Sequence, residues 1–389
     1  MVGVQARILI LRQCISTPIA VLLSLGILGG CVTFEDYLNV RRGYRLTPVV
    51  PLDERPVEEP ILTNHFVLDS ADQSVIGVPQ IVFTRDEDTL SDLARTYGLG
   101  YDELVAANPN VDPWLPGEHT PVLLPTQYVL PNVPRKGIVL NIASKRIFYF
   151  PPVAEGQAQV VKTYPVGIGR VGWETPLGTT TVIAKARNPH WYVPASVRRE
   201  HAEMGDPLAS VIPPGPDNPL GLHVLKLAMP GYLIHGTNQP YGVGMRVSHG
   251  CVRLYPEDIE ILYELVDIGD PVAIINEPFL LGELDGEFYF ESHEPLEDDS
   301  MSPRERLETL FAGYNESSAA ILDRRVQDYI RAIATVSNGV PARISGQHTD
   351  EVLSRARLVR NTVATNPNAP TLSEVREMID AAVREAKVL

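Results

Sequence analysis

The sequence predicts a mainly β domain with one clear helix, preceded by a small α+β module and followed by an α-helical C-terminal region. Strand-like runs separated by glycine and proline turns fill residues 136–278, and the chain holds 34 prolines in 389 residues. Two short helical patterns lie between two short strands at residues 79–127. Beyond about residue 302, apolar residues recur at helical spacing.

The first thirty residues have the layout of a secretory signal peptide. Arg7 and Arg12 form a positive segment, an almost wholly apolar run covers Ile15–Gly30, and the sequence "LGGC" ends at Cys31. We therefore exclude residues 1–30 from the fold. The alternative is an uncleaved signal anchor.

The end of this segment resembles the lipobox of bacterial lipoproteins. The resemblance implies a diacylglycerol anchor on Cys31, and because Val32 rather than aspartate follows, it implies retention at the inner leaflet of a Gram-negative outer membrane. Cys14 would leave with the signal peptide, so Cys251 would be the one free thiol and no disulfide could form within the chain. The formal charge of −15 argues against a nucleic-acid partner, since phosphate backbones favour basic surfaces.

Residues 31–78 show no sustained period and are predicted to form an extended tether. The module at 79–127 then follows a strand–helix–helix–strand order. Its first helix should be capped by Asp88 or Thr89 and end at Gly98, and its second should end at Asn108. The strands are predicted in "PQIVFT" and "TPVLLPTQ".

This module resembles a LysM module from about Gln80 to Thr126, although it has "DEDTL" where "GDTL" is usual. The resemblance implies binding to the N-acetylglucosamine-containing glycan of peptidoglycan. The alternative is a structural mini-domain without a ligand.

The domain at 136–278 should be mostly antiparallel. Ile138, Leu140 and Ile142 alternate with other residues, as in a strand. "PEDIEILYELVDIG" is the clear helix, with acidic residues in its first turn, whereas Asn188–Gly221 is read as loop. A β-hairpin turning at Asp285-Gly286 should follow at 279–297.

The region 302–389 is predicted to be helical because two sets of apolar residues each share a helix face. The sets are Leu322, Val326, Tyr329, Ile330 and Ile333, and Leu372, Val375, Ile379, Ala382 and Ala386.

Two segments carry candidate chemistry, "IHGT" with His235 and "SHGC" with Cys251 sixteen positions later. A thiol is a useful nucleophile as the thiolate and needs a nearby base or positive charge. His235 and His249 are both available. Gly250 would let a substrate carbonyl approach the backbone, whose amides could face a developing oxyanion.

These segments, in this order and spacing, resemble the signature of YkuD-type L,D-transpeptidases, over about Lys136–Pro278. The sequences "PPGPDNPLG", "GTNQPYGVGMR" and the arginine at Arg253 are similar to the ErfK/YbiS-like branch. The resemblance implies that Cys251 attacks the diaminopimelate–D-alanine bond of a tetrapeptide stem, releases D-alanine and forms a thioester. An amine of another stem or of an envelope lipoprotein then accepts the acyl group.

The resemblance also implies roles for the neighbouring residues. His235 would be the general acid/base, oriented by the carbonyl of Gly236. His249 would share a face with Cys251 on an extended backbone, which makes it a rival base, but we assign it a supporting role; it could also be purely structural. Ser248 is expected to hydrogen-bond the imidazoles.

Three further residues are candidates for binding substrate. Arg253 would meet a stem carboxylate, brace the loop or form a surface ion pair, and Trp191 and Tyr192 would line the groove. We predict no cofactor and no metal, because the other histidines lack ligand spacing. Those histidines include His190, His201 and His223.

The predicted function is thus a lipid-anchored periplasmic L,D-transpeptidase with peptidoglycan as partner. An L,D-carboxypeptidase or thiol amidase would use the same thioester. A non-catalytic wall-binding anchor is the alternative from another class, which the intact His235 and Cys251 disfavour.

Overall fold

We analysed a computed structural model of the protein, which describes residues 51–61, 63–154, 156–317, 322–344 and 351–364. The signal segment, Cys31 and the apolar set at 372–386 lie outside these residues. The helices are α1 (Leu90–Thr96), α2 (Tyr101–Ala107), α3 (Ala195–Glu203), α4 (Pro256–Leu265), α5 (Pro303–Ser317), α6 (Arg324–Ile333) and α7 (Glu351–Arg355).

The described strands are numbered in chain order. They are β1 (His65–Val67), β2 (Val75–Gly77), β3 (Gln80–Phe83), β4 (Pro121–Leu124), β5 (Gln127–Val129), β6 (Gly137–Asn141), β7 (Arg146–Phe150), β8 (Val160–Pro165), β9 (Ile168–Gly169), β10 (Gly178–Arg187), β11 (Trp191–Tyr192), β12 (Val211–Ile212), β13 (His223–Leu227), β14 (Leu233–His235), β15 (Arg246–Ser248), β16 (Val252–Arg253), β17 (Pro271–Ile275), β18 (Phe279–Leu284), β19 (Glu287–Ser292), β20 (Ala342–Arg343) and β21 (Arg357–Val359).

A nine-stranded sheet in the order β1-β8-β7-β6-β17-β10-β13-β14-β16 forms the body of the molecule. Its pairs are antiparallel except β6–β17 and β14–β16, which are parallel. The mostly antiparallel arrangement expected from the sequence is therefore confirmed, and β14 and β16 form one edge of this sheet.

Both faces of the sheet are covered around β6 and β7. Ile138 and Leu140 pack in the core that includes α4, whereas Val139 and Phe148 pack in a second core with the helices α1 and α2. Every residue of β6 and β7 is consequently buried. Alternation along these strands thus separates two apolar cores and not a core from solvent.

Helix α4 follows β16 directly and fixes that edge strand. It starts with Pro256, which suits the first helical position, and Glu257 in its first turn favours the helix dipole. Ile259, Leu262 and Val266 have no exposed surface, which confirms the predicted apolar face. The helix therefore anchors the segment that carries the cysteine motif.

The predicted strand–helix–helix–strand module is present as β3, α1, α2 and β4. Thr89 caps α1 by accepting from the Asp92 amide at 3.1 Å, and Gly98 adopts a φ of +64° where α1 ends, both as expected. The module packs on the central sheet through a buried ion pair between Arg146 and Glu103, 2.6 Å long.

The tether prediction is wrong for residues 63–78. β1 pairs with β8 at the edge of the central sheet, and β2 pairs with β5. The short strands escape a search for sustained periodicity because each has three residues. The folded body therefore begins before residue 79.

The C-terminal region is only partly helical. The predicted hairpin is β18–β19, turning at Asp285 and Gly286. Helix α6 packs on it through the expected set, with Leu322, Ile330 and Ile333 buried, and α5 packs on it through Leu307 and Phe311. Two short strands were not predicted: β20 extends the hairpin, and β21 pairs in parallel with β3 of the module.

Within 136–278 the prediction of one helix is also wrong, since α3 lies inside the stretch read as loop. Prolines and glycines flank α3 on both sides, and they led us to read the whole stretch as loop. The nine residues of the helix itself contain neither proline nor glycine. Among the described residues, no helix is long and apolar enough to cross a membrane.

Candidate active site

Cys251 lies directly before β16, at the edge of the central sheet, and is half-buried. In the parallel pair β14–β16, His235 is the partner of Arg253. Neighbouring strands lie about 4.8 Å apart, and two residues of an extended strand span about 6.6 Å. Cys251 is two residues before Arg253, so it lies diagonally across the strand pair from His235. The thiol contacts the carbonyl oxygen of Gly231 at 3.7 Å.

The imidazole of His235 is buried and fixed by the main chain. Its Nδ1 lies 2.6 Å from the carbonyl oxygen of Gly236, the contact that the family resemblance implied. Because a carbonyl accepts, Nδ1 carries the proton and Nε2 is left as the basic nitrogen. Burial, together with the charge of Arg253, lowers the pKa of His235 to about 3, although the carbonyls of Gly236 and Leu220 oppose this.

The thiol is shifted in the opposite direction. Burial raises the pKa of Cys251 above its usual value, while the backbone at Leu233 and the charge of Arg253 partly offset the rise. A raised thiol pKa and a lowered imidazole pKa both favour the neutral forms. In the free protein the thiol and the imidazole are therefore both neutral.

Gly250 sits in a tight turn with a φ of +95°, a conformation that favours glycine. A Cβ atom here would come within 2.9 Å of the Tyr232 ring. The turn breaks the extended backbone on which we expected His249 and Cys251 to share a face, so that argument does not hold. Cys251 follows this turn directly, and the main-chain carbonyls before and after its Cα both accept hydrogen bonds.

Those carbonyls belong to Gly250 and Cys251. The Thr175 hydroxyl donates to the Gly250 carbonyl at 3.0 Å, and the Ser248 hydroxyl donates to the Cys251 carbonyl at 2.5 Å. Ser248 thus bonds the backbone and not the imidazoles, contrary to expectation. Its buried hydroxyl stabilises the turn itself.

His249 points into a separate polar cluster. Its Nε2 lies 2.8 Å from Oε2 of Glu200, on α3, and 3.2 Å from Nη2 of Arg170. Arg170 and Glu200 also form an ion pair. The Trp173 and His249 rings meet in a T-shaped arrangement with 4.9 Å between ring centroids.

The sequence did not indicate Glu200, Arg170, Thr175 or Tyr232. Each comes from a segment distant from the motif, and recognising Glu200 would first have required finding α3. The only available signal was the absence of proline and glycine across Ala195–Glu203.

The other candidates lie in β11 and β16. Trp191 and Tyr192 form β11, which precedes α3 and pairs with β12 after it, and Tyr192 is 75% exposed. Arg253 is half-buried beside His235. Within the part of the chain that the structure describes, no group of three or more His, Cys, Asp or Glu side chains could hold a metal ion.

Comparison with known proteins places this site in a family. Residues 135–274 match the YkuD family model, described as the L,D-transpeptidase catalytic domain. The chain is 40% identical over 243 residues to the probable L,D-transpeptidase YcfS of Escherichia coli, covering 61% of this chain and 75% of that protein. It is 41% identical over 226 residues to the probable L,D-transpeptidase YbiS of the same species, covering 57% and 72%.

A third relative, the probable L,D-transpeptidase ErfK/SrfK of Escherichia coli, is 40% identical over 57% of this chain and 71% of its own length. A strand-rich fold with Cys251 and His235 near one sheet edge, together with this coverage, defines the class of protein as a cysteine acyltransferase. The chain belongs to the L,D-transpeptidase family, in the group of the ErfK, YbiS and YcfS proteins.

Proposed function

We propose that Cys251 is the nucleophile and His235 the general acid/base of a peptidoglycan L,D-transpeptidase. The observation that carries this proposal is the parallel pairing of β14 with β16, which brings the two residues to one sheet edge with Nε2 of His235 available as base. Membership of the L,D-transpeptidase family supports the reaction class.

In this mechanism the thiol proton moves to Nε2 of His235 as the sulfur attacks the amide carbonyl between diaminopimelate and the terminal D-alanine. The C–N bond then breaks, and the His235 imidazolium gives its proton to the departing D-alanine amine. The products of this half-reaction are free D-alanine and a thioester on Cys251.

An amine then attacks the thioester, its proton passes to His235, and the C–S bond breaks to regenerate the thiol. The acceptor is a diaminopimelate side chain in a cross-link or a lysine of an envelope lipoprotein. Because the thiol and the imidazole are both neutral in the free protein, proton transfer to His235 accompanies the attack and does not precede it.

The remaining groups bind and stabilise. The backbone amides of Gly250 and Cys251 stabilise the oxyanion. Arg253 favours the thiolate and binds a stem carboxylate. Trp191 and Tyr192 line the entry for the stem, which their position on the exposed β11 ribbon supports.

We further propose that residues 79–127 form a LysM-like module that binds the glycan. The other proposed regions are the signal peptide 1–30, the part of the predicted tether that precedes residue 51, the catalytic domain 136–278, the hairpin 279–297 and the region 302–389. A lipid on Cys31 anchors the protein in the periplasm, at the outer membrane. The strand–helix–helix–strand order and the "LGGC" sequence support these assignments.

The decisive experiment incubates the mature protein with tetrapeptide-bearing muropeptides and analyses the products by mass. Dimers joined between diaminopimelates, absent with Cys251→Ala, are the expected result. Tripeptides alone would identify an L,D-carboxypeptidase. No change with the wild-type protein would refute the enzyme proposal and leave the wall-binding anchor.

A further inference from the structure

Glu200, Arg170 and His249 form a cluster that the catalytic scheme above does not use. Arg170 is 3% exposed, and the side chains of Glu200 and His249 are 12% and 20% exposed. Their contacts join α3 to the motif residue two positions before Cys251. This cluster, which is shielded from solvent, therefore contacts the cysteine motif at His249.

The cluster fixes where the proton of His249 lies. A carboxylate only accepts hydrogen bonds, so the 2.8 Å contact between Glu200 Oε2 and Nε2 requires a proton on Nε2. A guanidinium only donates, so Arg170 cannot bond the protonated Nε2 at 3.2 Å and instead binds Glu200. His249 is therefore held as the Nε2–H tautomer, with Nδ1 unprotonated.

The charge of His249 is set by the same neighbours. Burial lowers the pKa of His249 and the bond to Glu200 raises it, while Arg170 and Arg253 lower it, with a net fall. Burial raises the pKa of Glu200, but the bonds from His249 and Arg170 more than offset this, so the carboxylate is ionised. The cluster thus contains one neutral imidazole between an anion and a cation.

Most residues of α3, the helix that supplies Glu200, are exposed, and its His201 ring lies 6.4 Å from the His249 ring between centroids. Val197 is the one buried residue of α3. Through its bond to His249, Glu200 consequently ties α3 to the turn at Gly250, where the φ of +95° suits glycine.

We propose that Glu200 is a positioning residue for acyl transfer: by holding His249 in one orientation and one tautomer, it fixes the turn that presents Cys251, and Arg170 in turn holds Glu200. This inference rests on the proposed function, in which Cys251 is the nucleophile.

The test compares Glu200→Ala, Glu200→Gln and the control Glu203→Ala in the full chain. Glu203 lies on the same helix and is exposed. We expect Glu200→Ala to slow thioester formation from a tetrapeptide stem about 10- to 100-fold, measured by intact mass. Glutamine keeps an acceptor oxygen, so Glu200→Gln should retain part of the rate, and Glu203→Ala should retain all of it.

A second readout is independent of activity. Nitrogen NMR of His249 should report the Nε2–H tautomer in the wild type, and Glu200→Gln should lower the His249 pKa further because the carboxylate raises it. The nearly isosteric glutamine variant serves this measurement if alanine does not fold.

Wild-type thioester rates in Glu200→Ala, or an unchanged His249 pKa in Glu200→Gln, would overturn the inference. If wild-type protein forms no thioester, the proposed function fails and takes the catalytic role of Glu200 with it, while the NMR titration still shows whether Glu200 holds His249. Equal loss of rate in all three variants would indicate a merely structural role of α3 and would also overturn it.

Discussion

Arg253 acts on three titratable side chains at once. Its positive charge acts to lower the pKa of each of His235, His249 and Cys251. Burial has the larger effect at each: it lowers the pKa of the two imidazoles and raises the pKa of the Cys251 thiol. A cation beside a thiol and an imidazole favours the thiolate and disfavours the imidazolium. Arg253 therefore assists the attacking state of the sulfur while keeping the base unprotonated.

Replacing Arg253 with glutamine should raise the Cys251 pKa further. Loss of a positive neighbour destabilises the thiolate, so the pH profile of iodoacetamide alkylation should move to higher pH. Arg187→Gln is the control, since Arg187 is exposed and pairs with Glu264. A profile that stays in place, or moves to lower pH, would contradict the effect.

Replacing His235 should nearly abolish thioester formation, with a fall of about 100- to 10,000-fold, because His235 is the base in the proposed mechanism. His249→Ala should leave measurable acylation, since His249 is bound to Glu200. Intact-mass kinetics with a tetrapeptide stem measure both. The opposite ranking would mean that His249 is the base.

The roles of these residues differ in how far the sequence could predict them. Cys251, His235 and Gly236 belong to contiguous motifs, so local sequence identifies them. Ser248 was assigned the wrong partner because the left-handed turn at Gly250 redirects its hydroxyl to the backbone. A hydrogen-bond partner depends on backbone torsions that spacing alone does not specify.

At the scale of elements, long periodic segments were predicted well. The helix α4 and the hairpin β18–β19 have strong local patterns and were found, whereas the three-residue strands β1 and β21 were not. Such short strands are stabilised by pairing with distant strands and leave almost no local pattern. Helix α3 was missed because its flanking loops dominated the composition.

Helix α4 contains a buried acid that gives the stability of the protein a pH dependence. Burial, with a smaller effect of Glu257, raises the pKa of Asp258 to about 7, against opposing effects of Arg146 and Arg95. Its Oδ2 is buried without a hydrogen-bond partner among the described residues. Because the folded pKa exceeds the unfolded value, the folded state binds more protons and loses stability as pH rises from about 4 to about 7.

Asp258→Asn should remove this loss. The free energy of unfolding of the wild type should fall by about 1.4 kcal/mol per pH unit in that window relative to the variant, so the variant should be the more stable protein at ~pH 8. Urea unfolding across the pH range measures the difference. The exposed Asp217→Asn is the control, and parallel pH profiles of wild type and Asp258→Asn would contradict the assignment.

At the scale of the whole molecule, the module at 79–127 is an integral part of the body. Its helices share an apolar core with β6 and β7, and Arg95 forms a bidentate ion pair with Glu257 of α4. The Tyr255 hydroxyl also donates to the Leu99 carbonyl at 3.1 Å. We infer that the module and the central sheet unfold together.

Glu103→Ala should therefore destabilise the entire protein by about 3–5 kcal/mol, because it leaves the buried Arg146 charge without its partner. Denaturant unfolding followed by fluorescence and circular dichroism should show one transition at a lower midpoint. Glu118→Ala, at a residue whose side chain is 66% exposed, should change stability by less than about 1 kcal/mol. A separate early transition would show instead that the module unfolds alone.

The parallel pairing of β21 with β3 sets the order in which the chain can fold. The Asn361 amide donates to the Phe83 carbonyl across 278 positions of sequence, so the sheet of the module closes only when both distant segments are present. During synthesis, β3 emerges early and β21 very late, which leaves a strand edge open for most of that time. An unpaired edge invites association with other chains. Nascent chains of this protein thus need protection at this edge until β21 has been synthesised.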